Sequence, residues 1–230
     1  MSPGRVRSAL RRPVVRDGVA VGVATGLYGV SFGAVSVAAG LSVLQTCALS
    51  LLVFTGASQF ALVGVVASGG TVLAATATAV LLGARNAFYG LRLAPRLEVA
   101  GLRRAAAAHL VIDESTAVAT AQVDDADGRA GFWVTGLAVF VCWNLATAVG
   151  AVGGQALGDP RAYGLDAAVG AAFLALLWPR LHGTVPRLVA LGAAALACGL
   201  VPWTPAGVPV LAAGGVALLV GAWGRPGREP

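Results

Sequence analysis

Three groups of side chains could do chemistry here, and each sits where an apolar run should exclude it. Arg85 lies inside the run Thr71 to Leu91, at the head of Arg85-Asn86-Ala87-Phe88-Tyr89-Gly90. A charge there is costly in hydrocarbon and is rarely kept without a job. With Arg92 at the water interface, Arg85 lies about 10 Å deeper at 1.5 Å per residue. Snorkelling covers part of that distance and is the plainer reading; the sharper one is a pair with a buried acid. The second group is Asp113-Glu114, four residues after His109. On one helix, His109 and Asp113 would share a face. Adjacent acids in an apolar setting suit a proton relay or an ammonium site. An interfacial helix with its acids in water is the alternative. The third group is Thr55-Gly56-Ala57-Ser58-Gln59. An amide in lipid must be hydrogen-bonded. Gln59 and Ser58 either glue helices together or mark a break that offers backbone to a substrate's carboxylate or ammonium.

The candidate substrate-binding residues are therefore Thr55, Gly56, Ala57, Ser58, Gln59, Asn86 and Tyr89. The candidate coupling or ion-pair residues are Arg85, Asp113 and Glu114. No catalytic residue, cofactor or metal is expected. Gly56-Ala57-Ser58-Gln59-Phe60 lacks the last glycine of a serine nucleophile elbow. A phosphate-binding Gly-x4-Gly-Lys loop needs a lysine, and all 16 basic residues are arginine. His109 and Asp113 are too few ligands for a metal. Cys47, Cys142 and Cys198 lie in apolar runs without Cys-x-x-Cys spacing and read as small core residues.

The elements that must carry these groups are membrane helices. Of 230 residues, 57% are hydrophobic and 11% charged, against roughly 25% charged in a soluble domain. Such a chain cannot present a normal wetted surface, and its 32 glycines let helices pack closely in lipid. The spacing Gly18-x3-Gly22-x3-Gly26, continued by Gly29-x3-Gly33, predicts a small-residue packing stripe, with a hinge as the alternative. The net charge of +6 does not imply nucleic-acid binding, because the arginines cluster at the ends of apolar runs. Arg11-Arg12 is not followed by a cleavable signal core. An Arg-rich cytoplasmic N-terminus over 1–17, one transmembrane domain over 18–223 and a polar tail over 224–230 are expected.

Apolar segments fall at about 18–39, 43–67, 71–91, 106–122, 131–153, 164–178, 185–201 and 206–223. Arginines occupy the N-terminus, 92–104, Arg129, Arg180, Arg187 and the C-terminus. The links near 40–42, 68–70, 154–163 and 202–205 hold only Arg161. Gathering the Arg-rich segments on one side requires two of the eight segments not to cross fully. The best candidates are 106–122 and 43–67. The fold class expected is an all-α polytopic membrane bundle of about six full crossings plus two broken or re-entrant segments, within a range of six to eight. Both termini would be cytoplasmic, in a plasma (inner) membrane. The acidic turn Asp124, Asp125, Asp127 reads as solvated, and no internal repeat is visible.

These groups together resemble the AzlC family, the large subunit of branched-chain amino acid exporters. The resemblance rests on Ser31-Phe32-Gly33, Ala39-Gly40-Leu41-Ser42, Phe54-Thr55-Gly56-Ala57-Ser58-Gln59-Phe60, Arg85-Asn86-Ala87-Phe88-Tyr89-Gly90 and Asp113-Glu114, with Trp143 and Gly150 beyond. It runs from about residue 18 to 155, and Gly-Ala-Ser-Gln-Phe is its most specific block. It implies a secondary exporter of branched-chain amino acids, sometimes also methionine, that works with a small AzlD-like membrane subunit. Coupling to the proton motive force would suit the acids. The rival readings are an ABC-type permease component, an intramembrane enzyme built on His109 with Asp113 or Glu114, and a scaffold or channel. Two positions depart from the family pattern: Asn86 stands where the family has His, and Ile112 where it has Thr. Asn does not titrate near neutral pH as His does.

Overall fold

The computed structural model describes residues 13–156, 174, 177, 178 and 181–223. Among them every regular element is helical: α1 (Pro13–Gly26), α2 (Tyr28–Ala38), α3 (Val43–Val53), α4 (Ala57–Ala67), α5 (Val72–Gly83), α6 (Arg85–Leu97), α7 (Gly101–His109), α8 (Asp113–Thr120), α9 (Asp125–Ala156), α10 (Thr184–Leu200) and α11 (Val208–Trp223). The expected segment 164–178 falls almost wholly outside the described residues.

Three stretches are long and apolar enough to cross a bilayer: Pro13–Ala38, Val72–Leu97 and Asp125–Ala156. The first joins α1 to α2 through one irregular residue, Leu27, and the second joins α5 to α6 through Ala84. Leu44, Leu52, Val72, Leu73 and Leu145 stand mostly exposed. Apolar side chains on so many outward helix faces suit hydrocarbon as the surrounding solvent. The chain is a helical membrane protein.

The glycine stripe sets the central contact. Gly18, Gly22, Gly26, Gly29 and Gly33 lie against Thr135, Ala138, Cys142, Ala146 and Gly150 of α9. A methyl group on Gly33 would collide with the Thr147 carbonyl, and one on Gly150 with the Val30 carbonyl. Only glycine admits so close an approach of two backbones. The steady offset of these partners makes α1–α2 and α9 parallel, so Pro13 and Asp125 begin on the same side.

Ion pairs extend that side. Arg96 Nε donates to Asp125 Oδ1 at 2.8 Å, and Arg129 lies 3.8 Å from Glu98. The Arg-rich connection after α6 therefore sits beside the start of α9. The turn expected to be merely solvated is thus tied down at Asp125. On the opposite side, Gly70 lies by Ala206, and Gly207 by Ala74. Since Gly214 then meets Leu81, α11 runs parallel to α5 and returns to the arginine side.

These contacts fix the route of the broken segments. The chain reaches the far side after α2, and α5–α6 brings it back. The intervening α3–α4 must enter from the far side and leave by it. Likewise α7–α8 starts and ends on the arginine side. Each half-helix of 43–67 has 11 residues, about 16 Å of rise, roughly half a hydrocarbon core of ~30 Å. Two hairpins thus enter from opposite faces, and their tips, 54–56 and 110–112, meet beside the middle of α9. Each hairpin follows a long apolar stretch in the chain, α1–α2 before the first and α5–α6 before the second.

Candidate functional site

The first tip is built on one glycine and one amide. Phe54 ends α3 with φ 16° and ψ 62°, and Gly56 precedes α4 with φ 62° and ψ −100°. The second conformation is one that L side chains rarely adopt. Gln59, fully buried, reaches back across the turn. Its Oε1 accepts from Gly56 N at 3.2 Å, and its Nε2 donates to Leu49 O at 3.0 Å. The amide so staples the two half-helices and satisfies backbone groups that the break would strand. The hydroxyls of Thr55 and Ser58 bond to each other.

The second tip repeats the device with a hydroxyl. Ile112 caps α8 in extended conformation, φ −129° and ψ 173°. Ser115 Oγ accepts from Ile112 N at 3.1 Å and donates to Leu110 O at 2.6 Å. Asp113 and Glu114 fill the first turn of α8, where the positive helix end favours carboxylates. Arg85 comes from a third element, as the first residue of α6. Its Nε donates to Asp113 Oδ1 at 3.1 Å and its Nη2 to Asp113 Oδ2 at 3.0 Å. This is the bidentate fork that gives Arg–carboxylate pairs their strength. Nη1 also reaches Leu82 O at 3.4 Å. Both side chains are about a quarter exposed, 26% and 25%, so the pair borders a cavity rather than open water.

That cavity has a volume of about 160 Å³. The first tip gives it Phe54, Thr55, Gly56 and Ala57, the second Ile112, Asp113 and Glu114. Arg85, Phe60, Val139, Trp143, Thr25 and Tyr28 complete the wall. Polar and ionic groups thus lie on one part of an otherwise aromatic and aliphatic chamber. A larger void, about 630 Å³, lies between α4, α5 and the turn before α11. It carries no charged residue, and its Ser68 and Thr204 hydroxyls both bond to the backbone of the helix that precedes them. Of these two, only the smaller brings charged side chains together.

The match to the AzlC protein family covers residues 20–157. This chain belongs to the AzlC family. The match spans both broken hairpins, Arg85 and all of α9, so the family region contains the cavity. AzlC proteins are a branched-chain amino acid exporter family, which makes this a transport protein of the membrane rather than a member of an enzyme family. No curated protein and no solved structure matches the chain.

Of the residues singled out in this AzlC sequence, Thr55, Gly56, Ala57, Arg85, Asp113 and Glu114 line the cavity. Ser58 and Gln59 lie one layer behind the first tip. Asn86 and Tyr89 do not line it: the Asn86 Oδ1 is buried without a hydrogen-bond partner, and Tyr89 packs against the hydrophobic core. His109 does not share a helix face with Asp113, because the break at 110–112 divides them. It ends α7 and lies against Phe54 and Phe140, at 5.8 and 5.6 Å between ring centres. The wall residues Phe60, Val139, Thr25 and Tyr28 carried no signal as site residues. Trp143 has a signal of its own, since an indole N–H buried among apolar helices needs a reason. Its Nε1 has no hydrogen-bond partner.

Proposed function

We propose that this AzlC protein exports a branched-chain or similar small apolar amino acid across the plasma membrane, driven by the proton motive force. It works with a small AzlD-like membrane subunit, and its arginine side faces the cytoplasm, in line with the positive-inside rule. The substrate binds in the cavity between the two hairpin tips. Its carboxylate meets the first-turn N–H groups of α4 at Ala57 and Ser58, which have no partner within their own helix. Its ammonium meets Glu114. Phe54, Phe60, Ile112, Val139 and Trp143 enclose the side chain. A dry cavity of about 150 Å³ admits a benzene ring, so a 160 Å³ chamber has room for a branched aliphatic group. Gln59 acts through the backbone by holding the tip in shape. Proton uptake at the acids and exchange of partners by Arg85 accompany alternating access.

One observation carries this reading: the bidentate Arg85–Asp113 pair, borne by two different elements, forms part of the cavity wall. A surface ion pair would have no reason to sit at a junction of broken helices. Efflux from dipeptide-loaded cells, over a panel of amino acids and with or without a protonophore and the small partner, is the direct test. Arg85→Ala at normal protein level should abolish efflux of the preferred substrate. Undiminished efflux would reject the assignment.

A further inference from the structure

A pocket of about 550 Å³ lies on the arginine side and shares no residue with the cavity between the tips. Arg103 and Ala106 reach it from α7, Arg129 and Trp133 from α9, and Glu98 and Val99 from the link after α6. Its height in the membrane follows from α9. The second hairpin tip meets that helix near its middle, with Leu110 by Gly136 and His109 by Phe140. Arg129 stands 11 residues before Phe140, about 16 Å at 1.5 Å per residue. Half a hydrocarbon core is ~15 Å. Trp133, one turn nearer the middle, lies about 10 Å out by the same rise. The pocket therefore straddles the level at which acyl chains give way to lipid phosphates, where tryptophan is favoured for its apolar ring and polar N–H.

The pocket is graded along the membrane normal. On α7, Arg103 stands about one turn outside Ala106; on α9, Arg129 stands one turn outside Trp133. Cations thus face the water and apolar groups face the hydrocarbon. The cations are unevenly satisfied. Arg129 Nη1 donates to the Arg96 carbonyl at 3.2 Å and lies 3.8 Å from Glu98. That ion pair is long and exposed, 39% and 75%, so it contributes little. No carboxylate of the described residues pairs with Arg103. The positive-inside rule accounts for arginines on this side. It does not account for two of them, from separate elements, converging on one pocket with an apolar wall one turn deeper. The helix that carries Arg103 is also thinly anchored, since Ala107 is the only residue that α7 buries.

We infer that this pocket holds an anionic glycerophospholipid. Its phosphate sits between Arg103 and Arg129, whose planar forks suit phosphate oxygens. Its glycerol and first acyl carbons lie against Trp133, Val99 and Ala106. Basic pockets between membrane helices bind such headgroups. Glu98 is the phosphate's rival for Arg129. The lipid ties α7, the outer arm of the second hairpin, to α9. The inference does not depend on which substrate the cavity takes.

The test uses the full chain purified in neutral detergent, with retained lipid counted by native mass spectrometry. Phosphatidylglycerol should be retained severalfold more than phosphatidylcholine, whose choline cancels the phosphate charge, and should raise the unfolding midpoint. Arg103→Gln should lower that retention severalfold. Arg104→Gln, at a position that does not line the pocket, should leave it unchanged. Ala106→Leu fills the apolar wall without touching a charge and should also lower it, which serves where Arg103→Gln does not accumulate. Glu98→Gln should raise it. Equal losses from the two arginine variants would mean a diffuse positive surface and overturn the site, as would equal retention of phosphatidylcholine. Inorganic phosphate that stabilises the protein as much as the lipid does would make this a site for free phosphate and overturn the lipid assignment.

Discussion

The two broken segments, 43–67 and 101–120, solve one problem with different chemistry. Each leaves half-helix ends in a low-dielectric surrounding, and in each a side chain three positions after the cap reaches back to the cap N–H: Gln59 to Gly56, Ser115 to Ile112. There the likeness ends. The first tip is neutral and holds its shape through a glycine conformation and an amide staple. The second has an ordinary extended cap and instead carries two carboxylates, one of them held by Arg85. Fixed dipoles on one side face ionic groups on the other.

The largest effect should come from the ionic tip. Arg85→Ala leaves Asp113 without its guanidinium at mid-depth, and removing one partner of a buried pair costs about 3–5 kcal/mol. Because both side chains are a quarter exposed, the lower end is expected. Thermal unfolding in detergent measures it. Adding Asp113→Asn to Arg85→Ala should recover most of the stability but none of the efflux. Full stability of the single variant would mean that the second tip does not depend on its counter-ion.

Next come the two devices of the neutral tip. Gly56→Ala imposes a side chain on a left-handed backbone, at about 1–3 kcal/mol. A β-carbon there meets no neighbour within 4 Å, so the cost is conformational rather than steric. Gln59→Leu strands the Gly56 N–H, at about 1–3 kcal/mol. Ser115→Ala does the same to the Ile112 N–H but should cost less, because its bonds span Leu110 to Ile112 whereas Gln59 ties Gly56 to Leu49, in the preceding half-helix. Unfolding midpoints that rank Ser115→Ala below Gln59→Leu in stability would reverse this ordering.

How far the sequence foretold all this depended on contrast. Arg85, Gln59 and Asp113 are conspicuous in an apolar chain, and the arginine distribution marked 43–67 and 106–122 as the segments that do not cross. Gly56 announced its own tip. No residue announced the break at 110–112, because Leu110, Val111 and Ile112 are good helix interior residues; tertiary packing and the Ser115 staple decide the matter. This is why the i,i+4 spacing of His109 and Asp113 does not give them a shared helix face. The aromatic wall was illegible for the opposite reason: Phe60 and Trp143 differ little from their apolar neighbours, and only the fold brings them together with Phe32. Ser50 and Thr147 are 97 positions apart, and isolated hydroxyls are common in membrane helices, so nothing along the chain pairs them.

The smallest expected effect probes the one place where the ionic tip lacks a usual feature. Ile112 is the N-cap of α8, and its side chain makes no capping bond. Ile112→Thr restores a hydroxyl that can accept from the first-turn N–H groups, a contribution of about 0.5–2 kcal/mol. It also removes apolar surface from a residue only 5% exposed, at about 0.8 kcal/mol per methylene equivalent. The two terms nearly cancel, so the unfolding midpoint should move by little. Selectivity should move more. The new hydroxyl would enter the cavity beside Asp113 and would give a polar side chain a partner where Ile112 now offers none. Competition assays should show threonine gaining on valine as an exported substrate. Unaltered selectivity at unaltered stability would mean that the second tip positions charge but does not touch the side chain it helps to carry.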